Sequence, residues 1–274
     1  MPATKDGRVA KSKQRQSQQS TRRVQSSGKR QPLVERTNAL RIEEFISNYV
    51  SPLISTASEA SDQSSKDESF QPTGRSQQDA ISTPLDVYSA ATIPDADLEA
   101  CLDLVQLTSG DDYAASGMGW SRPKKRSEMR LPDMKYLIVR GAGRSAAEQQ
   151  QERRPADEPD GPASSEDRDV LGFLSFMVTY EDGKEVVYCY EIHLSPTGRG
   201  KGLGALLMSR MEAIGRLVGV EKAMLTVFKS NTTARRFYEK GGYEVDEYSP
   251  QPRKLRNGTV KEFDYLILSK RLKT

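Results

Sequence analysis

The chain has 274 residues, only 35% of them apolar, and a net charge of +3 that is too small to name a partner. That length admits one or two domains, and the shortage of apolar side chains points to one domain of about 150 to 180 residues with polar tails. Two cysteines, Cys101 and Cys189, and a single histidine, His193, leave no Cys/His cluster for a structural zinc and no histidine-based triad. No apolar run approaches a membrane span or the core of a secretory signal, so a reducing, soluble compartment is expected.

From Met1 to Arg30 nine Lys or Arg stand against the single acid Asp6, among Gln and Ser. Residues 1–35 therefore read as a disordered basic tail, either a solvated linker or a nuclear-import, ribosome or nucleic-acid patch; a mitochondrial presequence would need an apolar helix face that Val9, Ala10 and Val24 hardly supply. Over 36–52 the spacing of Ile42, Phe45, Ile46, Tyr49 and Val50 predicts an amphipathic helix docked on the domain, with Thr37 or Asn38 as cap and Pro52 beyond its end. Residues 53–92 lack periodicity and read as a polar linker. The domain is expected over 93–274, opening on a helix with Leu98, Cys101, Leu102 and Val105 on its core face.

A strand, KYLIVR, precedes a disordered insert at about 141–169, which is too long for an ordinary connection. Two β-rich runs, VLGFLSFMVTYE and EVVYCYEIHLS, are joined by Asp182-Gly183 at hairpin distance and should pair antiparallel. After the turn RGKGLG, a helix carries Leu203, Leu207, Met211, Ile214 and Val218 on one stripe. Then come the strand KAMLTVF, the short helix TTARRFYEK ended by Gly241 or Gly242, and two strands, YEVDEY and EFDYLILSK. This order describes an α/β domain with a mixed, mostly antiparallel central sheet flanked by helices.

A strand-to-helix turn with three glycines and two cations suits a phosphate, because glycines let backbone N–H groups converge and the helix N-terminus adds its dipole. The spacing is not that of a Walker loop, and no acidic ribose-binding residue ends a strand about twenty positions on. Arg199, Gly202 and Gly204 do fit Arg/Gln-x-x-Gly-x-Gly/Ala, which resembles the pyrophosphate loop of the Gcn5-related N-acetyltransferases (GNAT). The resemblance continues through LTVFKSNTTARRFYEKGGYE. It implies the GNAT fold and acetyl-CoA as co-substrate, with no metal. It further implies cofactor contacts from Ile192, His193 and Leu194 before the loop, from Arg199, Gly200, Lys201, Gly202, Leu203 and Gly204 within it, and from Asn231; Tyr238 falls where the family meets the thiol. Gly200 stands where an arginine is common, which removes one phosphate contact.

Within that superfamily, GMGWSRPKKRSEM, EVVYCYEIHLS, RGKGLG, MLTVFKSN and DYLILSK together resemble the NatD group of histone N-terminal acetyltransferases, from about Pro94 to the C-terminus without the insert. The resemblance implies acetyl transfer to the α-amine of histones four and two-A, whose mature chains begin Ser-Gly-Arg-Gly.

An attacking amine must be neutral. An α-amine with a pKa near ~8 is roughly one-tenth neutral at pH 7, whereas lysine, near ~10.4, is neutral in only about a few molecules in ten thousand. A modest base therefore suffices, and Glu191, Tyr188 and Tyr190 are the candidates near the loop. Glu191 is the first choice, because apolar and aromatic neighbours should raise its pKa toward neutrality; the resemblance puts the base at the same residue. Strict alternation sends Tyr188 and Tyr190 to one face and Cys189, Glu191 and His193 to the other. The resemblance implies a bulge and a splayed strand pair here, which would re-aim them. His193 reads as a strand-end surface residue and Cys189 as packing. Tyr238 is the candidate to return a proton to the CoA thiolate.

For a basic peptide, Glu181, Trp120 and Tyr265 are candidate groove residues, joined by Tyr190 and Thr226. Thr179 stands where NatD enzymes have an aspartate, and Glu181 on the same strand face can substitute for it. The expected protein is thus a monomeric histone-peptide acetyltransferase of the nucleus and cytoplasm, without membrane contact. The alternatives are a GNAT enzyme acting on a lysine or other amine, and a non-catalytic chromatin- or ribosome-binding module.

Overall fold

A computed structural model describes residues 31–53, 85–141 and 169–273. Most of the basic tail, most of the linker and nearly all of the insert lie outside these residues. The described elements are α1 (Leu33–Asn38), α2 (Ile42–Tyr49), β1 (Leu85–Ser89), α3 (Asp95–Ala115), α4 (Arg122–Met129), β2 (Lys135–Arg140), β3 (Val170–Glu181), β4 (Lys184–Leu194), α5 (Leu203–Val218), β5 (Lys222–Phe228), α6 (Thr232–Lys240), β6 (Glu244–Val245), β7 (Arg253–Lys254), β8 (Val260–Lys261) and β9 (Tyr265–Arg271). Seven strands form one sheet in the order β1-β2-β3-β4-β5-β9-β6, and β7 pairs with β8 apart from it. Every pairing in the large sheet is antiparallel except β4 with β5. This is the mixed, mostly antiparallel sheet with flanking helices that the sequence led us to expect.

The β3–β4 hairpin turns on Asp182 and Gly183, at φ 48° and 79°, a left-handed pair that Asp-Gly adopts with little strain. Both faces of the sheet are covered, so β2 is buried along its whole length. One face packs Leu137, Leu174, Phe176 and Val187 against α5 residues Leu207, Met211 and Ile214 and against Phe45 of α2. The other packs Tyr136, Ile138 and Phe173 against Leu98, Leu102 and Val105 of α3.

The N-terminal segment docks as its apolar spacing requires, but as two helices. The chain bends between them, and Arg41, not Thr37 or Asn38, precedes α2, its amide donating to Glu44 Oε2 at 3.0 Å. Asn38 instead donates to the carbonyl of Val178 on β3 at 2.8 Å. Two further elements depart from expectation. Strand β1 forms within the stretch read as linker and pairs with β2 along its whole length. Helix α4 forms in GMGWSRPKKRSEM, whose spacing predicts no element, and YEVDEY yields only the two-residue β6.

Candidate active site

The parallel pairing of β4 with β5 stops at Cys189 and Leu225, although the strands run on to Leu194 and Phe228. Beyond that point they part, and a cavity of about 100 Å³ opens between them. Its walls include Tyr190, Glu191, Ile192 and His193 from β4, Thr226 and Phe228 from β5, and Asn231 and Tyr238 from α6.

Across β3 and β4, Ser175 opposes Glu191 while Phe176 opposes Cys189, so Tyr190 is an extra residue in the ladder. This bulge resolves the alternation problem. Before it, Val187 and Cys189 enter the core under α5; after it, Ile192 and Leu194 pack toward that core, and Glu191 and His193 turn to the opposite face. Glu191 therefore shares the sheet face under α3 that strict alternation had denied it.

There Glu191 is buried and fully engaged. Its Oε1 accepts from Lys125 Nζ at 2.7 Å and from Tyr113 Oη at 2.9 Å, and its Oε2 lies 2.6 Å from His193 Nε2. Lys125 also pairs with Glu128 at 2.8 Å and lies over the Tyr113 ring. Burial would raise the Glu191 carboxyl, but the Lys125 ammonium and the His193 hydrogen bond outweigh it and hold the group down at about 2. The expectation of a raised Glu191 is thus reversed. Lys125, which burial alone would lower, is correspondingly raised by Glu191. His193 is also corrected: its ring is 8% exposed, stacks near Phe173, and its Nδ1 lies 2.5 Å from Thr108 Oγ1.

Tyr188 and Tyr190 stand with ring centroids 5.3 Å apart. Burial pushes both hydroxyls up, Tyr190 to about 12, and the nearby charge of Glu181 adds to it. Glu181 is itself raised by burial. It is thereby placed beside the tyrosine face, with Thr179 two residues back on the same side of β3. Tyr188 Oη is 2.5 Å from Thr226 Oγ1. Trp120 packs on Tyr113 at 5.7 Å, and Tyr265 lies opposite Phe228 in the β5–β9 ladder. Tyr238 is buried, with its hydroxyl pushed up by burial. Asn231 caps α6, its Oδ1 accepting from the Ala234 amide at 3.0 Å, which leaves its NH₂ for another partner. Cys189 is buried, as expected for packing.

At the end of β4 the glycine turn has the form an anion needs. Gly200 and Gly202 sit at φ 73° and 76°, where an L side chain is strained, and a Cβ on either would enter open space. The first bond of α5 runs from the Leu206 amide to the Gly202 carbonyl at 3.0 Å, so the amides of Leu203, Gly204 and Ala205 precede the intrahelical ladder. Arg199 and Lys201 are exposed beside them. Amides, dipole and two cations fit a diphosphate, and the cleft between β4 and β5 fits the arm that follows it. Ile192 and His193 line that cleft, whereas Leu194 packs against the glycines at 172 and 204. Nothing in their sequence spacing singles out Tyr113, Thr108 or Lys125. A lysine buried within the highly charged RPKKRSEM reads as one more exposed charge.

Residues 131–243, from the approach to β2 through α6, match the model of the acetyltransferase (GNAT) family. GNAT acetyltransferases use acetyl-CoA, the diphosphate-bearing thioester that the loop and cleft fit. Among individual proteins, 105 residues are 35% identical to N-alpha-acetyltransferase 40 of Saccharomyces cerevisiae, covering 31% of this chain and 37% of that protein. Another 78-residue alignment is 30% identical to the N-acetyltransferase YycN of Bacillus subtilis, covering 28% of this chain and 50% of that one. The chain thus spans half or less of the length of these two relatives. Solved structures found in the comparison include the ribosomal-protein-S18-alanine N-acetyltransferase of Escherichia coli, 17% identical over 70% of this chain and 96% of that one, with a TM-score of 0.41. Another is the PaiA N-acetyltransferase of Thermoplasma acidophilum in complex with coenzyme A, 14% identical over 69% of this chain and 99% of that one, with a TM-score of 0.44.

Proposed function

We propose that this protein is an acetyl-CoA-dependent peptide α-N-acetyltransferase whose substrates are histone N-termini beginning Ser-Gly-Arg-Gly. The observation that carries the reading is the bulge at Tyr190. It brings Glu191 onto the sheet face that carries Tyr188, three residues before the end of the strand that runs on into the glycine loop.

Acetyl-CoA supplies the acetyl group as an activated thioester. The chain holds the diphosphate with the amides of residues 200–205 and with Arg199 and Lys201, and Asn231 offers its free NH₂ to the arm in the cleft. Glu191 is too weak a base to strip a proton from a resting ammonium. It accepts a hydrogen bond from an amine that arrives neutral, and it takes the proton once the new N–C bond has made that nitrogen cationic and acidic. This favours an α-amine over lysine, because only the α-amine is appreciably neutral at pH 7. Tyr188 and Tyr190 wall the peptide's first residue with Trp120, Tyr265 and Thr226, and Glu181, with Thr179 beside it, meets the arginine. Tyr238 returns a proton to the departing thiolate. The similarity to a yeast protein named as an N-alpha-acetyltransferase supports the α-amine reading. A monomer of the nucleus and cytoplasm is proposed with it, the basic tail serving contacts to ribosome or nucleic acid.

The test is an acetyl-transfer assay with a peptide that begins Ser-Gly-Arg-Gly and carries a lysine further on, and with the same peptide blocked at its α-amine. We expect acetylation of the free peptide alone. Acetylation of the blocked peptide would move the activity to lysine, and silence on both would favour a binding module.

A further inference from the structure

We propose that Thr108 and His193 form a two-state element that sets how readily Glu191 takes a proton. The inference rests on the reading of Glu191 as proton acceptor, and it concerns groups whose behaviour can be measured without turnover. Thr108, on α3, has one hydroxyl hydrogen and two places to direct it: the carbonyl of Leu104 at 2.8 Å and Nδ1 of His193 at 2.5 Å. The ionised Glu191 can only accept, so Nε2 of His193 keeps its hydrogen on Oε2 in both states.

When the Thr108 hydrogen points to Leu104, its oxygen accepts from Nδ1–H and the ring is an imidazolium. When Nδ1 releases its proton to water, the Thr108 hydrogen turns onto the bare nitrogen and the ring is neutral. Each state is fully hydrogen-bonded, and no heavy atom has to move. What changes is the charge beside the carboxylate. In the first state Glu191 lies between an ammonium and an imidazolium; in the second it faces Lys125 alone.

The other groups around the pair do not blur this. From α3, Tyr113 donates to Glu191 Oε1; from α4, Lys125 is shared between Glu191 and Glu128; from β3, the ring of Phe173 covers the imidazole at 5.6 Å. His193 is thus a positioning residue that acts through Glu191: imidazolium weakens the carboxylate as acceptor, and neutral imidazole restores it.

His193 is the only histidine of the chain, so one imidazole signal in the ¹⁵N NMR spectrum of the full-length protein reports on it directly. We expect Lys125→Met to raise the midpoint of that signal by at least about half a pH unit, by removing a competing cation, and Glu191→Gln to lower it comparably. Thr108→Val, which keeps the side-chain shape, should also lower it, because a buried charged donor without an acceptor costs more than a bare lone pair. Midpoints that stay within about 0.2 unit of wild type in the folded variants would overturn the proposal.

In kinetics, log kcat/KM for the peptide should fall with a limiting acid slope of about two in wild type, one proton for the amine and one for the imidazole, and of about one in His193→Gln. Equal slopes in the two active proteins would count against the element. If no amine substrate is turned over but the midpoints shift as stated, the peptide reading fails and the two-state element stands.

Discussion

Burial alone would drive a carboxyl such as Glu191 toward neutrality, and Lys125 at 2.7 Å with His193 at 2.6 Å reverses that, so the group is an anion across the physiological range. An anion fixed on both oxygens is a poor proton thief but a well-aimed acceptor, and it demands a substrate that is neutral on arrival. Replacing it by Gln keeps the shape and one acceptor but removes the charge. Glu191→Gln should therefore lower kcat at least about a hundredfold, within the range for positioned bases, and leave the acetyl-CoA dissociation constant within about twofold. Steady-state kinetics and calorimetry on the same preparation check the pair. A rate within about twofold of wild type would move the proton to a tyrosine or to water.

At the scale of elements, α1 and α2 are held to the sheet by few polar contacts, and one carries a measurable signature. Lys135 on β2 is buried, with Nζ 3.2 Å from Asn38 Oδ1 and 4.9 Å from the Phe45 ring centroid. Burial lowers its pKa from 10.5 to about 8. The folded state therefore binds this proton less tightly than the unfolded chain. The resulting deficit is complete below pH 8 and is relieved as pH rises toward 10.5. Across that window the urea-unfolding free energy of wild type should rise relative to Lys135→Met, and a parallel pH dependence of the two proteins would contradict the assignment.

The elements that sequence alone made legible are those whose apolar period is clean. α5 shows its stripe, the β3–β4 hairpin its Asp-Gly turn, and α2 its Phe45 face. What escaped has physical reasons. β1 is five half-buried residues with Asp86 at its second position, too short and mixed to show a period of two. α4 buries a lysine where a pattern expects an apolar residue. The bulge at Tyr190 shifts one residue out of the ladder, which no alternation pattern reports, and so the family resemblance, not periodicity, foretold it. The apolar neighbours of Glu191 in the sequence foretell its burial but not its direction of titration, because the deciding partner comes from α4, 66 residues earlier in the chain.

For the whole molecule, the central claim is that one strand joins two functions: a glycine loop that holds a diphosphate at its end and, past a bulge, a carboxylate and tyrosines that receive an amine. The most direct test is calorimetric titration of acetyl-CoA into the full-length protein and into Gly202→Val. Valine at φ 76° must either strain the turn or move amides away from the diphosphate. We predict saturable one-to-one binding by wild type and an affinity at least about tenfold weaker in the variant, the loss of about one charge-assisted hydrogen bond, with the unfolding transition still cooperative. Absence of binding by wild type, or equal affinity in the two proteins, would contradict the account.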